Sequence, residues 1–281
     1  MSDPRMARGP AAGSSDPRAP PAAAAAAAVA ATTPAQASAA AAAVATGART
    51  AHRHGQISVA LVCRSNVNRS MEAHYALLQH GYHLVSSFGV GTKVSLVGEV
   101  PGGKNEFPFG TPYTEMAADL RRKGEEVHQR LGTLPMLERD ARVKAAPERW
   151  QDARTARFDL VLTFEMHVYN TVVDDLRQRT GAQLAPCHVV NLETPDTHED
   201  ASRAAVLALR LVNALHAAIA PPAKGAEAAA ALLARLSQHL PRPESTVGHA
   251  DATHWEDKLP PLLEALENEI QKPIDHAVLW I

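Results

Sequence analysis

Residues 57–74 read Ile57-Ser58-Val59-Ala60-Leu61-Val62-Cys63-Arg64-Ser65-Asn66-Val67-Asn68-Arg69-Ser70-Met71-Glu72-Ala73-His74. The β-branched and aliphatic run Ile57 to Val62 suits a buried parallel strand, and the pattern from Met71 onward suits a helix. Between them, Cys63 to Ser70 places an arginine, Arg69, six positions after a cysteine. This layout predicts a phosphate-binding loop at the carboxyl end of a strand. The free N–H groups of the helix start point back at the loop, so what binds there is an anion. The same donors favour the thiolate form of Cys63 and make it a candidate nucleophile. Ser65, Asn66 and Asn68 are small or polar and can brace a tight loop. Arg69 offers a planar fork matched to phosphate oxygens, and Ser70 lies where its hydroxyl could donate to the sulfur or join a helix cap. Arg64, Ser65, Asn66, Val67, Asn68 and Ser70 are therefore the candidate phosphate-binding residues around Cys63 and Arg69. The spacing alone is weak evidence, and the competing reading is an inert buried cysteine in a strand-to-helix turn.

Outward from this stretch, strands and helices alternate. A helix is expected over Met71–His80, a strand over His83–Ser87, a glycine-bearing loop over Phe88–Gly110 and a helix over Thr114–Lys123. Pro135–Trp150 reads as a mixed connection. Phe158–Thr163 and His188–Leu192 read as strands, and Val168–Thr180 and Asp200–Ala218 as helices. The alternation predicts an α/β fold with a central, mostly parallel sheet flanked by helices on both faces. Ligands of such sheets sit beyond the carboxyl ends of the strands, where Cys63 lies.

The chain has 281 residues, but much of it is of biased composition. Residues 1–55 are built mainly of Ala, Pro, Ser, Thr and Gly and read as a disordered extension. Their acids, Asp3 and Asp16, are outnumbered by Arg5, Arg8, Arg18, Arg49 and Arg53, so an organelle transit peptide is the rival reading. Prolines and polar residues interrupt the alanine tracts, which argues against a membrane span. Residues 56–281 are expected to form one domain, interrupted by a low-complexity insertion at about 217–254. The two cysteines, Cys63 and Cys187, form no disulfide framework, and a catalytic thiol requires a reducing compartment. Cys187 reads as a small buried hydrophobe. A net charge of −2 provides no basic field for direct binding of nucleic acid. A phosphorylated protein is the better-matched partner.

Displacing an alkoxide from phosphorus requires a proton donor for the leaving oxygen. Asp159 begins its strand and is at the wrong edge of the sheet. Glu165, Glu193 and Asp196 follow strands and are at the correct edge. Each could instead be a helix cap or a solvated loop charge, and Asp196 has a rival role as cap of the helix beginning near His198.

Several strings, in order, resemble one family. They are Val62 to His74, Phe88-Gly89-Val90-Gly91-Thr92, Met136-Leu137-Glu138-Arg139-Asp140, Pro147-Glu148-Arg149-Trp150-Gln151, Val168-Tyr169 with Val172 to Leu176, and Asp196-Thr197-His198-Glu199-Asp200-Ala201. The family is Ssu72, cysteine-dependent phosphatases of the RNA polymerase II carboxyl-terminal domain. The resemblance covers about Ile57 to Ala218 and resumes at Leu262 to Ile281. It implies the three-layer fold of low-molecular-weight tyrosine phosphatases and removal of phosphate from the fifth-position serine of the heptad repeat. It further implies Cys63 as nucleophile, Arg69 as phosphoryl clamp and Asp196 as acid, with no metal or cofactor. Leu96, Val97, Gly98, Met136 and Leu137 take the positions that line the peptide groove, and the peptide is bound with its Ser-Pro bond in cis, a minority isomer in free peptides. A nuclear location and work alongside the mRNA cleavage and polyadenylation factors follow from the same resemblance.

The chain departs from the family pattern at Arg64, where a small residue is common, at Val97 in place of proline, and at Pro195 and Thr197 in place of amide side chains. Arg64 adds positive charge beside the thiolate. Two other functions compete: a generic phosphotyrosine phosphatase or arsenate reductase on the same fold, and a non-catalytic scaffold of the polyadenylation complex. The intact trio Cys63, Arg69 and Asp196 argues against the scaffold.

Overall fold

The computed structural model describes residues 57–100, 102–179, 185–219 and 255–281. The expected extension over 1–55 lies outside these residues, as does the expected insertion from residue 220 onward. The elements are β1 (Val59–Cys63), α1 (Arg69–Gln79), β2 (Val85–Gly89), β3 (Val94–Val97), β4 (Lys104–Phe107), α2 (Tyr113–Arg130), α3 (Thr133–Val143), β5 (Leu160–Thr163), α4 (Met166–Gln178), β6 (Pro186–Asn191), α5 (His198–Ile219), α6 (Leu259–Ile270) and β7 (Asp275–Trp280).

The main sheet has the strand order β2-β1-β5-β6-β7, parallel throughout except for β7, which pairs antiparallel with β6. Every residue of β1 is buried, because its two faces are both covered. Val59, Leu61 and Cys63 join a cluster with Leu160, Leu162, Val190 and the apolar sides of α1, α5 and α6. Ala60 and Val62 face the other way, among Val161, Val189, Trp150, Phe158 and the Val168–Leu176 side of α4. Successive residues of a strand point to opposite faces, so an unbroken apolar run is what a strand between two helical layers requires. Trp150 is anchored as well as packed: its indole N–H donates to Asp175 at 2.8 Å, and the Arg179 guanidinium lies 4.6 Å from the ring centroid.

A third cluster lies beside the Cys63–Ser70 loop. Val67 and Met71 pack there on Val94 and Leu96 of a separate β3–β4 hairpin and on Tyr113, Met116, Leu120, Leu134 and Leu137 of α2 and α3.

The architecture agrees with the α/β expectation, and the differences have physical causes. The stretch read as a loop over Phe88–Gly110 contains the hairpin, whose second strand, Lys104-Asn105-Glu106-Phe107, lacks an alternating apolar pattern. Gly98 and Gly103 approach so closely there that a Cβ on Gly98 would lie 2.6 Å from the Gly103 carbonyl carbon. The mixed connection contains α3, because Pro135 falls in the first turn, where a helix has no intrahelical use for the missing N–H. The helix expected to end at Lys123 kinks at Gly124 and continues to Arg130. Strand β2 is shifted to Val85–Gly89. Strand β7 had no counterpart in the sequence reading, and α5 runs through residue 219, past the expected start of the insertion.

Candidate active site

Cys63 ends β1, buried, and α1 begins at Arg69. No side chain caps that helix: Asn68 makes no side-chain cap bond, so the first-turn N–H groups are left to whatever the loop holds. The sulfur of Cys63 accepts from the backbone N–H of Asn66 at 3.3 Å and lies 3.0 Å from Ser70 Oγ. Asn66 Nδ2 donates to Ser70 Oγ at 3.1 Å, which directs the Ser70 proton toward the sulfur. Of the two roles open to Ser70, the contact with sulfur is the one realised.

The loop is held open by its surroundings. The carbonyls of Cys63 and Arg64 accept from Val90 and Gly91 at 3.0 and 2.9 Å. The carbonyl of Asn66 accepts from the Tyr113 hydroxyl at 2.7 Å, and that of Val67 from Arg139 Nη2 at 2.9 Å. Burial pushes the Tyr113 phenol well above its ordinary range, so it stays protonated and donates. Asn66 adopts the left-handed conformation (φ 54°), held by Tyr113 and by the Glu148 N–H, which donates to Asn66 Oδ1 at 3.0 Å. With carbonyls bound to the scaffold, the opposite edges of those peptides are free to face a bound anion. Ser65 braces the hairpin by accepting from the Ser95 N–H at 3.2 Å, while the Arg64 side chain is exposed.

Arg69 is 3% exposed. Its Nη1 donates to the carbonyls of Phe164 and Thr194 at 3.3 and 2.8 Å, and Nη2 to Glu165 at 2.8 Å. Burial opposes its charge, but Cys63, Asp196 and Glu165 outweigh it and push the guanidinium pKa up. Its Nε has no hydrogen-bond partner, an uncommon state for a buried donor.

The carboxylates at the correct edge have different partners. Glu165 holds Arg69. Glu193 accepts from the Met166 N–H at 2.8 Å and so serves the start of α4. Asp196 Oδ1 accepts from Asn68 Nδ2 at 2.9 Å and lies 3.4 Å from Arg69 Nε, while its side chain remains 59% exposed. The cap of α5 is Thr197, whose Oγ1 accepts from the Asp200 N–H at 3.0 Å. Asp196 is thereby free of the capping role and faces the loop. Asp159 sits at the far edge, accepting from Ser58 N and Oγ at 2.7 and 2.8 Å.

Of the residues expected along the groove, Val97 is 60% exposed. Leu96, Met136 and Leu137 are buried against Val67 and form the base on which the hairpin stands. Gly98 donates to the Gly103 carbonyl at 2.8 Å and closes the hairpin. Tyr113, Arg139 and Glu148, which brace the loop, were not singled out by sequence reasoning; the strings around Arg139 and Glu148 marked their neighbourhood, not their task. Among the described residues no cluster of three or more His, Cys, Asp or Glu could hold a metal ion, and no helix is long and apolar enough to cross a membrane.

A buried thiol in a braced strand-to-helix loop, with an arginine six positions on and a carboxylate across the gap, defines an α/β protein with a cysteine–arginine loop at the carboxyl end of its sheet. A sequence model of the family described as "Ssu72-like protein" matches residues 57–281, and the chain belongs to that family. The human RNA polymerase II C-terminal domain phosphatase SSU72 is 46% identical over 155 residues, covering 55% of this chain and 79% of the human one. The protein of that name from Dictyostelium discoideum is 41% identical over 157 residues, covering 55% and 73%. A Drosophila melanogaster Ssu72 with Symplekin, bound to a cis peptidomimetic of the C-terminal domain phosphorylated on its fifth-position serine, superimposes with a TM-score of 0.64. It is 29% identical and covers 81% of this chain and 100% of that one.

Proposed function

We propose that this chain is a protein serine phosphatase of the RNA polymerase II C-terminal domain, working through a phosphocysteine on Cys63. The observation that carries the reading is the convergence on one loop of the Cys63 sulfur, its donors Asn66 N–H and Ser70 Oγ, the buried Arg69 and the exposed carboxylate Asp196. Loop N–H groups and Arg69 bind the three terminal phosphoryl oxygens, with Arg69 Nε supplying a donor that makes no hydrogen bond of its own, only the 3.4 Å ion-pair contact with Asp196. The Cys63 thiolate attacks phosphorus; the S–P bond forms as the P–O bond to serine breaks. Asp196, open to solvent beside the loop, gives its proton to the leaving serine oxygen. It then takes a proton from the water that attacks the phosphocysteine, releasing inorganic phosphate and the thiolate, to which Ser70 donates.

The substrate is the heptad phosphoserine at the fifth position, followed by proline in cis, as the family and the Drosophila complex support. Val97 at the hairpin tip and the Leu96–Met136–Leu137 base beneath it shape the groove for that peptide. Symplekin and the polyadenylation machinery are the corresponding partners, and the nucleus is where this substrate and these partners meet.

Turnover of heptad peptides carrying one phosphate, at each serine or at tyrosine, tests the reading. The fifth-position phosphoserine is expected to be preferred. Equal or faster turnover of phosphotyrosine would assign the chain to the generic tyrosine phosphatases instead.

A further inference from the structure

Support for the loop from α3 goes beyond packing. The Arg139 side chain is 14% exposed and that of Asp140 is 0% exposed. Arg139 Nε and Nη2 both donate to Asp140 Oδ1, at 3.0 and 2.6 Å, and Nη2 also donates to the Val67 carbonyl at 2.9 Å. Nη1 pairs with Glu72 of α1. One guanidinium therefore links α3, α1 and the phosphate loop, and a buried carboxylate fixes the plane of its fork. Asp140 Oδ2 has no hydrogen-bond partner. A fully buried carboxylate with an unpartnered oxygen is costly to keep ionised and calls for a reason.

We propose that Asp140 is a positioning residue for the phosphate loop: ionised, it orients Arg139, which holds the Val67 carbonyl away from the anion pocket and keeps the loop N–H groups aimed at phosphate. This rests on the phosphatase reading above. Burial pushes the Asp140 carboxyl up to about 7, against the opposing pull of Arg139 and Lys144, so its charge changes across neutral pH. The groups that face it are Arg139, Lys144 just past the end of α3, and the Tyr113 phenol of α2. Burial lowers the Lys144 pKa, while Glu148, Asp140 and Cys63 raise it. When Asp140 is neutral, Arg139 keeps only Glu72 as a charged partner, the fork loses its fixed plane, and the loop relaxes.

The test compares the full chain with Asp140→Asn, which is neutral at every pH and close in shape. The measurements are kcat/KM for para-nitrophenyl phosphate and inhibition by inorganic phosphate, between about pH 5.5 and 8.5. Ionisation of the substrate and of the catalytic groups cancels in the ratio of the two proteins. The ratio is expected to be near one at the acid end and to rise to about tenfold at the alkaline end, the size of one charge-assisted hydrogen bond. In an Arg139→Lys background, which keeps the charge but loses the fork, adding Asp140→Asn is expected to give a ratio that no longer changes with pH. A ratio that stays constant with pH would reduce Asp140 to a structural residue and overturn the proposal. If the wild-type chain bound phosphate but hydrolysed nothing, the phosphatase reading would fall, and the pH dependence of phosphate affinity alone would still decide the role of Asp140.

Discussion

Asp196 Oδ1 stands 3.4 Å from Arg69 Nε, across the gap between the phosphate loop and the turn that follows β6. Asn68 Nδ2 holds the same oxygen at 2.9 Å, so the carboxylate proposed as acid and the guanidinium proposed as phosphoryl clamp are set against each other. The proximity suits the proposed acid role, in which Asp196 reaches the leaving oxygen of a phosphoryl held by Arg69.

Asp196→Asn keeps the Asn68 contact but has no proton to give. On a phosphoserine peptide the loss in kcat is expected to be about 10²- to 10⁴-fold. On para-nitrophenyl phosphate, whose leaving group needs little protonation, the first step is expected to fall less than about tenfold. Equal losses on both substrates in single-turnover assays would move the acid role to Glu165 or Glu193.

Ser70→Ala removes the hydroxyl 3.0 Å from the Cys63 sulfur while leaving the buried loop its packing. If, as proposed, that hydroxyl donates to the thiolate leaving phosphorus, breakdown of the phosphocysteine should slow by about tenfold. Steady-state kcat should fall with burst kinetics becoming visible; a lowered kcat without a burst would place Ser70 in the first step only.

A Cβ added at Gly89 would lie 2.8 Å from the Arg64 carbonyl and 2.8 Å from the Phe109 ring. The carbonyl belongs to the loop, so Gly89→Ala must displace it. A loss in kcat/KM of about 10²-fold, with a smaller change in unfolding midpoint, is expected from a shift approaching an ångström. Unchanged kinetics would show that the loop tolerates movement at Arg64.

His74 is buried against Ser87, its Nδ1 2.9 Å from that hydroxyl. Burial, with Lys144 adding to it, pushes its pKa down to about 3. The unfolded chain takes up this proton near pH 6.5 while the folded chain refuses it, so stability is full above 6.5 and is lost as pH falls toward 3. By pH 5 this one group costs about 2 kcal/mol relative to neutral and alkaline pH. Urea unfolding of His74→Gln should show that much less acid sensitivity than the wild type; an identical pH slope would refute the assignment.

How far the sequence carried these conclusions depends on the element. Strand β1 and the loop after it were legible because burial on both faces demands an unbroken apolar run, and the motif occupies consecutive residues. The β3–β4 hairpin was not, since Lys104-Asn105-Glu106-Phe107 is held by pairing with β3 and by the packing of Phe107, which leaves no apolar pattern to read. Asp196 could be placed at the right edge but not separated from a capping role, because Thr197 beside it can cap equally well; only the Thr197–Asp200 contact decides. The braces Tyr113, Arg139 and Glu148 are distant in sequence from the carbonyls and side chains they hold, so no local pattern reports them.

The central claim is that phosphate passes from serine to the Cys63 sulfur. Rapid quenching of the wild-type chain and of Asp196→Asn with a radiolabelled fifth-position phosphoserine heptad peptide, followed by mapping of the label, measures it directly. Label is expected on Cys63 in the wild type, and none on the protein in Cys63→Ser. In Asp196→Asn any label that does form on Cys63 should persist longer. Hydrolysis of the peptide by Cys63→Ser at the wild-type rate, or label on any other residue, would contradict it.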